Sequence, residues 1–209
     1  MTSGGPVKSR RDQYTEATRL ALLDAATELF AHRGFAGTTL ADVAATAQVT
    51  RGAVYHHFAD KQALFEAVLE RLELEAVEAI TTAIARKGDP WTAAMRGIAA
   101  FLDRCTDPTY GHIVWHEGPR ALGVQRWREV EYRYNYGLVE QLVRGLTATG
   151  DLEPTPLVPT SRLIFHMLGE AGMAVAEADP EHQAEVRSEY EGVLRRILEG
   201  LRPRGAAPT

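Results

Sequence analysis

Apolar residues recur at helical spacing along most of the chain. Between Tyr14 and Arg33, the apolar positions fall at i, i+3, i+4, i+7 and i+8, which places them on one face of a helix. Gly34 follows where a left-handed C-cap is expected. Similar patterns continue to about residue 201, so the sequence predicts an all-α protein of about nine helices. The first apolar stripe consists of Leu22, Ala25, Ala26, Leu29 and Phe30.

Residues 38–58 predict two short helices joined by a tight turn. Thr38 or Thr39 is a suitable N-cap, and either can pair with Asp42 in the following turn. The pattern is interrupted before Thr50, whose side chain can cap a second helix that begins at Arg51. This arrangement is typical of a helix-turn-helix.

The second of these helices has two different faces. Val54 and Phe58 are four residues apart and are predicted to point into the core. On the outer face, an arginine can contact a phosphate or a guanine edge, a glycine permits close backbone approach, and an alanine can contact a thymine methyl group. The alternative is an ordinary pair of packing helices. The residues left to face outward or sideways are Arg51, Gly52, Ala53, Tyr55, His56 and His57.

Six further helices follow. Asp60 is the predicted N-cap of a long fourth helix, whose apolar positions keep helical period as far as Ile84. Its glutamates, including Glu73, are expected on the solvated face. Asp89 and Pro90 start the fifth helix. The sixth is predicted to be short, Tyr110 to His116, with a break at Glu117-Gly118-Pro119; the seventh runs from Gln125 to Thr147, and after a loop at 150–159 the eighth and ninth cover 160–178 and 181–201.

Charge and cysteine content narrow the possible partners and cellular compartment of the protein. The formal net charge is −5, but residues 1–61 carry seven Lys or Arg and six Asp or Glu, so the less acidic end is the part suited to DNA. The single cysteine, Cys105, excludes an intramolecular disulfide and favours the reducing cytoplasm. The sequence shows neither a membrane-length apolar run nor a secretory signal, so we expect no membrane partner.

Residues 17–67 resemble the DNA-binding domain of the TetR family of bacterial transcriptional regulators. The similarity lies in three consecutive segments, LLDAATELFAHRGF, TLADVAATAQVTRGAVYHHF and DKQALFEAVL. A weaker resemblance to one group of TetR-type ligand-binding domains lies in EGPRALGVQRWRE. The resemblance implies a dimeric, all-helical, ligand-responsive protein that binds DNA. It does not identify the ligand.

The predicted organisation has four parts: a flexible basic arm (1–13), a helix-turn-helix domain (14–61), a ligand-binding and dimerisation domain (62–203) and a flexible tail (204–209). In the arm, Lys8, Arg10 and Arg11 either reach DNA phosphates or belong to a solvated tail. Lys61 and the backbone amides beside it are expected to contact phosphate. The predicted DNA-contacting residues are Thr39, Thr50, Arg51, Gly52, Ala53, Tyr55, His56, His57 and Lys61.

Aromatic and methionine residues are concentrated in helices five to eight. Such side chains either line an apolar cavity or simply fill the core. The residues predicted to bind a small, largely apolar effector are Trp91, Met95, Phe101, Trp115, His116, Trp127, Tyr134, Met167 and Glu170. The last two helices are long and apolar over wide stripes, as a four-helix dimer interface requires. Its predicted residues are Leu168, Ala171, Val175, Tyr190, Leu194, Ile197 and Leu198.

These features favour a homodimeric transcriptional regulator, a repressor, that binds a palindromic DNA operator and is released by its effector. We expect no catalytic residue, no cofactor and no metal, because the sequence contains no nucleophile elbow, Walker loop or dinucleotide fingerprint. The alternative is a small helical enzyme or carrier that uses the aromatic cavity. Its only support is the weak group of His112, His116 and Glu117, which could bind zinc.

Overall fold

The computed structural model describes residues 10–203, with side chains from residue 12 onward. Lys8 and the tail 204–209 lie outside the described residues, as do the side chains of Arg10 and Arg11. The described residues form nine helices, which confirms the predicted all-α class. The first five are α1 (Arg10–Arg33), α2 (Leu40–Thr46), α3 (Arg51–His57), α4 (Lys61–Ile84) and α5 (Pro90–Cys105).

The four remaining helices include two that contain a π-helical segment. Helix α6 (108–122) consists of Pro108–Tyr110, the π-helical Gly111–Glu117 and Gly118–Leu122. Helix α7 (124–149) consists of Val124–Glu131, the π-helical Tyr132–Tyr136 and Gly137–Thr149. The last two are α8 (Leu157–Glu177) and α9 (Gln183–Glu199).

The break predicted at Glu117-Gly118-Pro119 is wrong. The backbone N–H of Gly118 donates to the carbonyl of Ile113, a wider turn than in an α-helix, and the helix continues through Pro119. In a regular α-helix a proline ring clashes with the carbonyl four residues earlier, and a π-helical turn changes that spacing.

The eighth helix begins three residues before the predicted start, at Leu157. Pro159 therefore lies in its first turn, where a missing N–H leaves no helical hydrogen bond unmade. The ninth helix is shorter than predicted at both ends. These differences are of the size expected at helix termini.

The chain divides into two compact units, Met1–Val68 and Leu69–Thr209, and α4 contributes residues to both. In the first unit, the predicted stripe of α1 is buried and packs with residues of α2, α3 and the start of α4. The rings of Phe30, Phe35 and Phe65 form a cluster with centroid distances of 5.1 to 6.0 Å. Gly34 has φ of 69°, as predicted for the C-cap of α1.

The second unit has its own core between α5, α7, α8 and α9. Part of this core is a cluster of buried apolar residues: Ala94, Met95, Val143, Leu146, Leu152, Ile164 and Leu198. Arg187 of α9 bonds Asp103 of α5 at 2.6 Å and Glu191 at 2.7 Å, which ties these two helices together at the surface. Within the part of the chain that the structure describes, every helix is too short or too polar to span a bilayer.

Candidate nucleic-acid interface and apolar cavity

Helix α2 begins with a complete capping box. The N–H of Asp42 donates to Oγ1 of Thr39 at 3.2 Å, and the N–H of Thr39 donates to Oδ2 of Asp42 at 3.0 Å. The hydrogen bonds from the side chain and backbone of Thr39 lower the pKa of Asp42, since they stabilise its charged form. Of the two predicted caps, Thr39 is therefore the one used, while Thr38 is buried and bonds the carbonyls of Leu29 and Gly34.

The turn between α2 and α3 is short and fully hydrogen-bonded to α2. Gln48 has φ of 55°, a left-handed conformation that reverses the chain direction. The N–H of Val49 donates to the carbonyl of Ala44 at 3.0 Å. Oγ1 of Thr50 then accepts the N–H of Ala53 at 3.2 Å and starts α3. Thr39 and Thr50 therefore both cap helices, and together with the turn they fix the angle of α3 relative to α2.

The faces of α3 are as the sequence predicts. Val54 and Phe58 are buried in the first unit. Arg51, Gly52 and His56 are exposed, and the side chain of Tyr55 is 60% exposed. The remaining predicted contacts, Ala53 and His57, are half-buried at the edge of the same face. The outer face of α3 therefore offers an arginine, a glycine and an aromatic phenol to a partner.

The two histidines at the end of α3 differ in environment. Their ring centroids are 5.3 Å apart. Partial burial lowers the pKa of His57, and the nearby His56 and Arg19 lower it further. Neutral His57 can donate one hydrogen bond to a phosphate but adds no positive charge to the interface.

Lys61 has partners inside its own unit. Its Nζ donates to the carbonyl of Phe35 at 2.7 Å and to that of Thr38 at 3.0 Å, and lies 4.2 Å from the centroid of the Phe35 ring. Two of its three donors are therefore used to hold the loop after α1 against the start of α4. The phosphate contact predicted for Lys61 would have to use the third.

A cavity of about 360 Å³ lies within the second unit. Five aromatic rings contribute to its wall, together with aliphatic residues of α4, α5, α7 and α8. The aromatic members are Phe101, Trp115, Trp127, Tyr132 and Phe165, and the polar and charged ones are Arg128, Glu131, Asn135, His166 and Glu170. A mainly apolar cavity with a few polar groups is the usual form of a small-molecule site.

Four of the nine residues predicted to bind an effector line this cavity: Phe101, Trp115, Trp127 and Glu170. The other five lie elsewhere in the second unit. Met95 belongs to the buried core cluster and Met167 packs against it. Trp91 also packs there, under the guanidinium of Arg202 at 4.6 Å. His116 stacks on His112 and Tyr134 lies near Glu70, and neither is among the residues that line the cavity.

Helix α7 supplies cavity residues that the sequence analysis missed, above all Glu131 and Asn135. They follow Trp127 at intervals of four, a spacing that places all three on one helical face. The aromatic and apolar pattern instead selected Tyr134 on this helix and passed over these two polar side chains.

Two buried carboxyl groups lie side by side, that of Glu131 on the cavity wall and that of Glu73 on α4. Glu73 is fully buried, not solvated as predicted, and Glu131 is 7% exposed. Nδ2 of Asn135 donates to Oε2 of Glu73 at 2.6 Å, and the Tyr110 hydroxyl lies 3.3 Å from Oε1. A hydrogen bond also joins the two carboxyl groups. Burial raises the pKa of both, and for Glu131 the negative charge of Glu73 raises it further.

The predicted dimerisation residues divide between core and surface. Ala171, Val175, Leu194 and Leu198 are buried within the second unit, so they fill its own core. Leu168 and Tyr190 are half-buried, Leu168 lines the cavity, and Ile197 is 43% exposed. Helices α8 and α9 also expose apolar residues that were not predicted, namely Val158, Leu163 and Val193.

The histidine pair of the enzyme alternative, His112 and His116, stacks with ring centroids 5.8 Å apart. Glu117 bonds Arg120 at 3.4 Å. Among the described residues, no group of three His, Cys, Asp or Glu is placed to hold a metal ion.

Two family models match the chain. Residues 22–68 match the model described as "Bacterial regulatory proteins, tetR family". Residues 91–201 match the model described as "Tetracyclin repressor-like, C-terminal domain". The first match covers α2 and α3, and the second covers more than half of the chain.

Individual proteins are similar over different lengths. The HTH-type transcriptional regulator TtgR of Pseudomonas putida is 46% identical over 63 residues, which is 30% of each chain, so the match spans less than a third of TtgR. The transposon Tn10 TetC protein of Escherichia coli is 25% identical over 146 residues, 70% of this chain and 74% of TetC. The crystal structure of a TetR-family transcriptional regulator from Pectobacterium atrosepticum has a TM-score of 0.80 and 28% identity, and the alignment covers 94% of this chain and 99% of that one.

Proposed function

The chain belongs to the TetR family of bacterial transcriptional regulators, and on this basis we propose that it is a cytoplasmic homodimeric repressor that binds a palindromic operator and is released by a small effector. It is a regulator of transcription and not an enzyme. The observation that carries the operator proposal is the exposed outer face of α3, held in position by the Thr50 cap.

The DNA contact follows from the side chains on that face. Arg51 has a forked guanidinium that suits a phosphate or a guanine edge, and Gly52 lets the backbone approach the duplex. Tyr55 and His56 extend the same surface. The proposed contact set is completed by Thr39, Thr50, Ala53, His57 and Lys61. The two threonines and Lys61 also hold the helices of the first unit together.

A palindromic operator requires two copies of α3. In B-DNA, two successive major grooves on one face are about 34 to 36 Å apart, so a homodimer must hold the two helices at that separation. The apolar residues exposed on α8 and α9 are our proposed dimer surface, with Val193 and Ile197 on α9 and Leu163 on α8.

Release by an effector requires that the ligand favour a conformation with a different separation of the α3 helices. The cavity of about 360 Å³ is the proposed effector site. A coupling of about 1 to 3 kcal/mol between effector and operator is typical of allosteric proteins. Helix α4 provides a direct covalent route, since it carries Ile80 of the cavity wall and begins in the first unit.

The experiment is a fluorescence-anisotropy titration of the purified protein against DNA from the region upstream of its own gene. We expect binding that prefers this sequence to scrambled DNA and that weakens steeply with salt. Arg51→Ala should weaken binding by about 1 to 3 kcal/mol, because it removes one base or phosphate contact from each half-site.

The matched control is Lys87→Ala, which removes an exposed cation from the second unit and should leave operator affinity unchanged. Equal affinity of the wild type for operator and scrambled DNA would contradict the proposal, as would unchanged affinity in Arg51→Ala.

A further inference from the structure

The cavity in the second unit contains an acid whose hydrogen bonding is incomplete. Glu131 lines the cavity and is 7% exposed. Its Oε1 is buried and has no hydrogen-bond partner among the described residues. A buried oxygen without a partner costs about 1 to 3 kcal/mol, so a ligand that donates a hydrogen bond there would recover this cost.

The neighbour of Glu131 is a second acid. Glu73 is fully buried and accepts hydrogen bonds from Asn135 and Tyr110. The hydrogen bond between the two carboxyl groups requires one proton between them. Glu131 is the member that carries this proton, because Glu73 has the donors that stabilise a negative charge. With that proton the pair carries at most one negative charge, and the hydrogen bonds from Asn135 and Tyr110 place it on Glu73.

Among the described residues, the cation whose charge acts on Glu73 is Arg104, and its guanidinium lies 4.9 Å from the centre of the Tyr110 ring. It is engaged by Glu75 at 3.2 Å and Asp107 at 3.5 Å. On the cavity wall, the positive charge of the exposed Arg128 is balanced in number by the negative charge of the exposed Glu170. The buried acid pair thus leaves the cavity with an excess of negative charge.

The aromatic wall of the cavity also favours a positively charged ligand. The faces of aromatic rings attract cations, and five rings line this cavity. Trp115 and Trp127 meet edge to face with centroids 5.8 Å apart, and Tyr132 packs edge to face against Phe165 at 5.6 Å. Rings at different angles around an acid are the usual way in which proteins recognise an organic ammonium group.

We propose that the effector is a lipophilic amine, cationic at neutral pH, whose ammonium N–H donates to Oε1 of Glu131 while its apolar part lies among the aromatic rings. This inference rests on the proposed function, since it assigns a ligand class to the effector cavity. An anionic ligand, such as a fatty carboxylate, would face the charge of the acid pair, and a neutral ligand would leave that charge unbalanced.

The test compares three probes of similar shape: N,N-dimethyl-4-phenylbutylamine, 5-phenyl-1-pentanol and 5-phenylpentanoate. Binding to the full-length protein is measured by calorimetry and by quenching of tryptophan fluorescence, since Trp115 and Trp127 line the cavity. We expect the amine to bind at least about tenfold more tightly than the alcohol, and the carboxylate to bind most weakly.

The variant that removes the charge is the double replacement Glu73→Gln with Glu131→Gln, which keeps the shape of the pair. In this variant, the advantage of the amine over the alcohol should fall to within about threefold. The matched control, Glu153→Gln, removes one negative charge at an exposed position and should keep the full advantage. Circular dichroism checks that both variants fold, and Glu73→Gln alone replaces the double variant if that one does not.

The proposal is overturned if the wild type binds the alcohol or the carboxylate as tightly as the amine, if no probe binds at millimolar concentration, or if the charge-removing variant keeps the full preference. None of these measurements uses DNA. Loss of amine preference in a protein that binds its operator refutes the ligand class alone, whereas amine preference without operator binding refutes the proposed function alone.

Discussion

At the scale of single residues, the most unusual feature is the pair of buried carboxyl groups. Glu73 and Glu131 lie on different helices, share a hydrogen bond and face Tyr110, Cys105 and Arg104. Burial raises the pKa of both because it penalises the charged forms, and at Glu73 the hydrogen bonds from Glu131, Asn135 and Tyr110 and the charge of Arg104 act against this shift. Such a pair costs stability, and buried acids with raised pKa values are typical of functional sites.

The pH dependence of stability should reveal this cost. The folded protein holds a proton on Glu131 above pH 4.5, the ordinary pKa, whereas the unfolded chain releases it there. The free energy of unfolding therefore falls as the pH rises towards the raised pKa of the folded state, with a slope of about 1.4 kcal/mol per pH unit for one proton. In Glu131→Gln this slope should be smaller, so the variant gains stability relative to the wild type as the pH rises.

Urea denaturation followed by circular dichroism between about pH 5 and pH 8 measures this difference. Glu129→Gln, an exposed replacement on the same helix, should run parallel to the wild type. A constant difference between Glu131→Gln and the wild type across this range would show that Glu131 does not carry the proton.

At the scale of secondary-structure elements, the cavity depends on how closely α8 approaches α5 and α6. A Cβ atom added to Gly172 of α8 would lie 2.8 Å from Cζ of Phe101, 2.8 Å from Cζ2 of Trp115 and 3.1 Å from Sγ of Cys105. The glycine therefore lets the two rings that line the cavity pack against the backbone of α8. Gly169, one turn earlier and also on the cavity wall, has no atom within 4 Å of the same added Cβ.

Gly172→Ala should destabilise the protein by about 1 to 3 kcal/mol, because the rings of Phe101 and Trp115 must move in a packed core. Gly169→Ala is the matched control and should be neutral or stabilising by up to about 1 kcal/mol, since alanine favours a helix and finds open space. Thermal unfolding of the two variants gives the comparison. Equal melting temperatures would mean that α8 does not approach the rings as closely as described.

At the scale of the whole molecule, the proposed binding to a palindromic operator requires two copies of a chain that has two compact units. Four of the residues predicted for the dimer surface are already buried in the second unit, so a partner would meet a different set. The exposed apolar residues on α9 are Val193 at 54% and Ile197 at 43%, four residues apart on one face. These two residues, together with Leu163 exposed on α8, form the surface that we propose as the interface.

Replacing both Val193 and Ile197 by Glu should weaken self-association by at least about tenfold, because each replacement removes apolar burial and places a charge in the interface. Sedimentation velocity over a range of concentrations measures the change. Leu74→Glu is the control, since Leu74 is similarly exposed on α4 and lies outside the proposed surface. A double variant that sediments as the wild type does would place the interface elsewhere.

The sequence by itself determined the local structure. Caps, turns and the faces of short helices depend on neighbouring residues, so Thr50, Gly34 and the buried positions Val54 and Phe58 could be assigned from spacing and side-chain type, and the cap of α2 could be narrowed to Thr38 or Thr39. The all-α class and the helix-turn-helix follow from the same local signals.

Only the tertiary structure decided which side chains share the cavity and which belong to the core. The π-helical Gly111–Glu117 continues α6 through Pro119, and the polar residues Glu131 and Asn135 line the cavity although an apolar pattern does not point to them. Burial of Glu73 depends on Tyr110 and Asn135, which are 37 and 62 residues away along the chain. Contacts over such separations depend on how the helices pack, and the local periodicity of a single sequence does not contain that information.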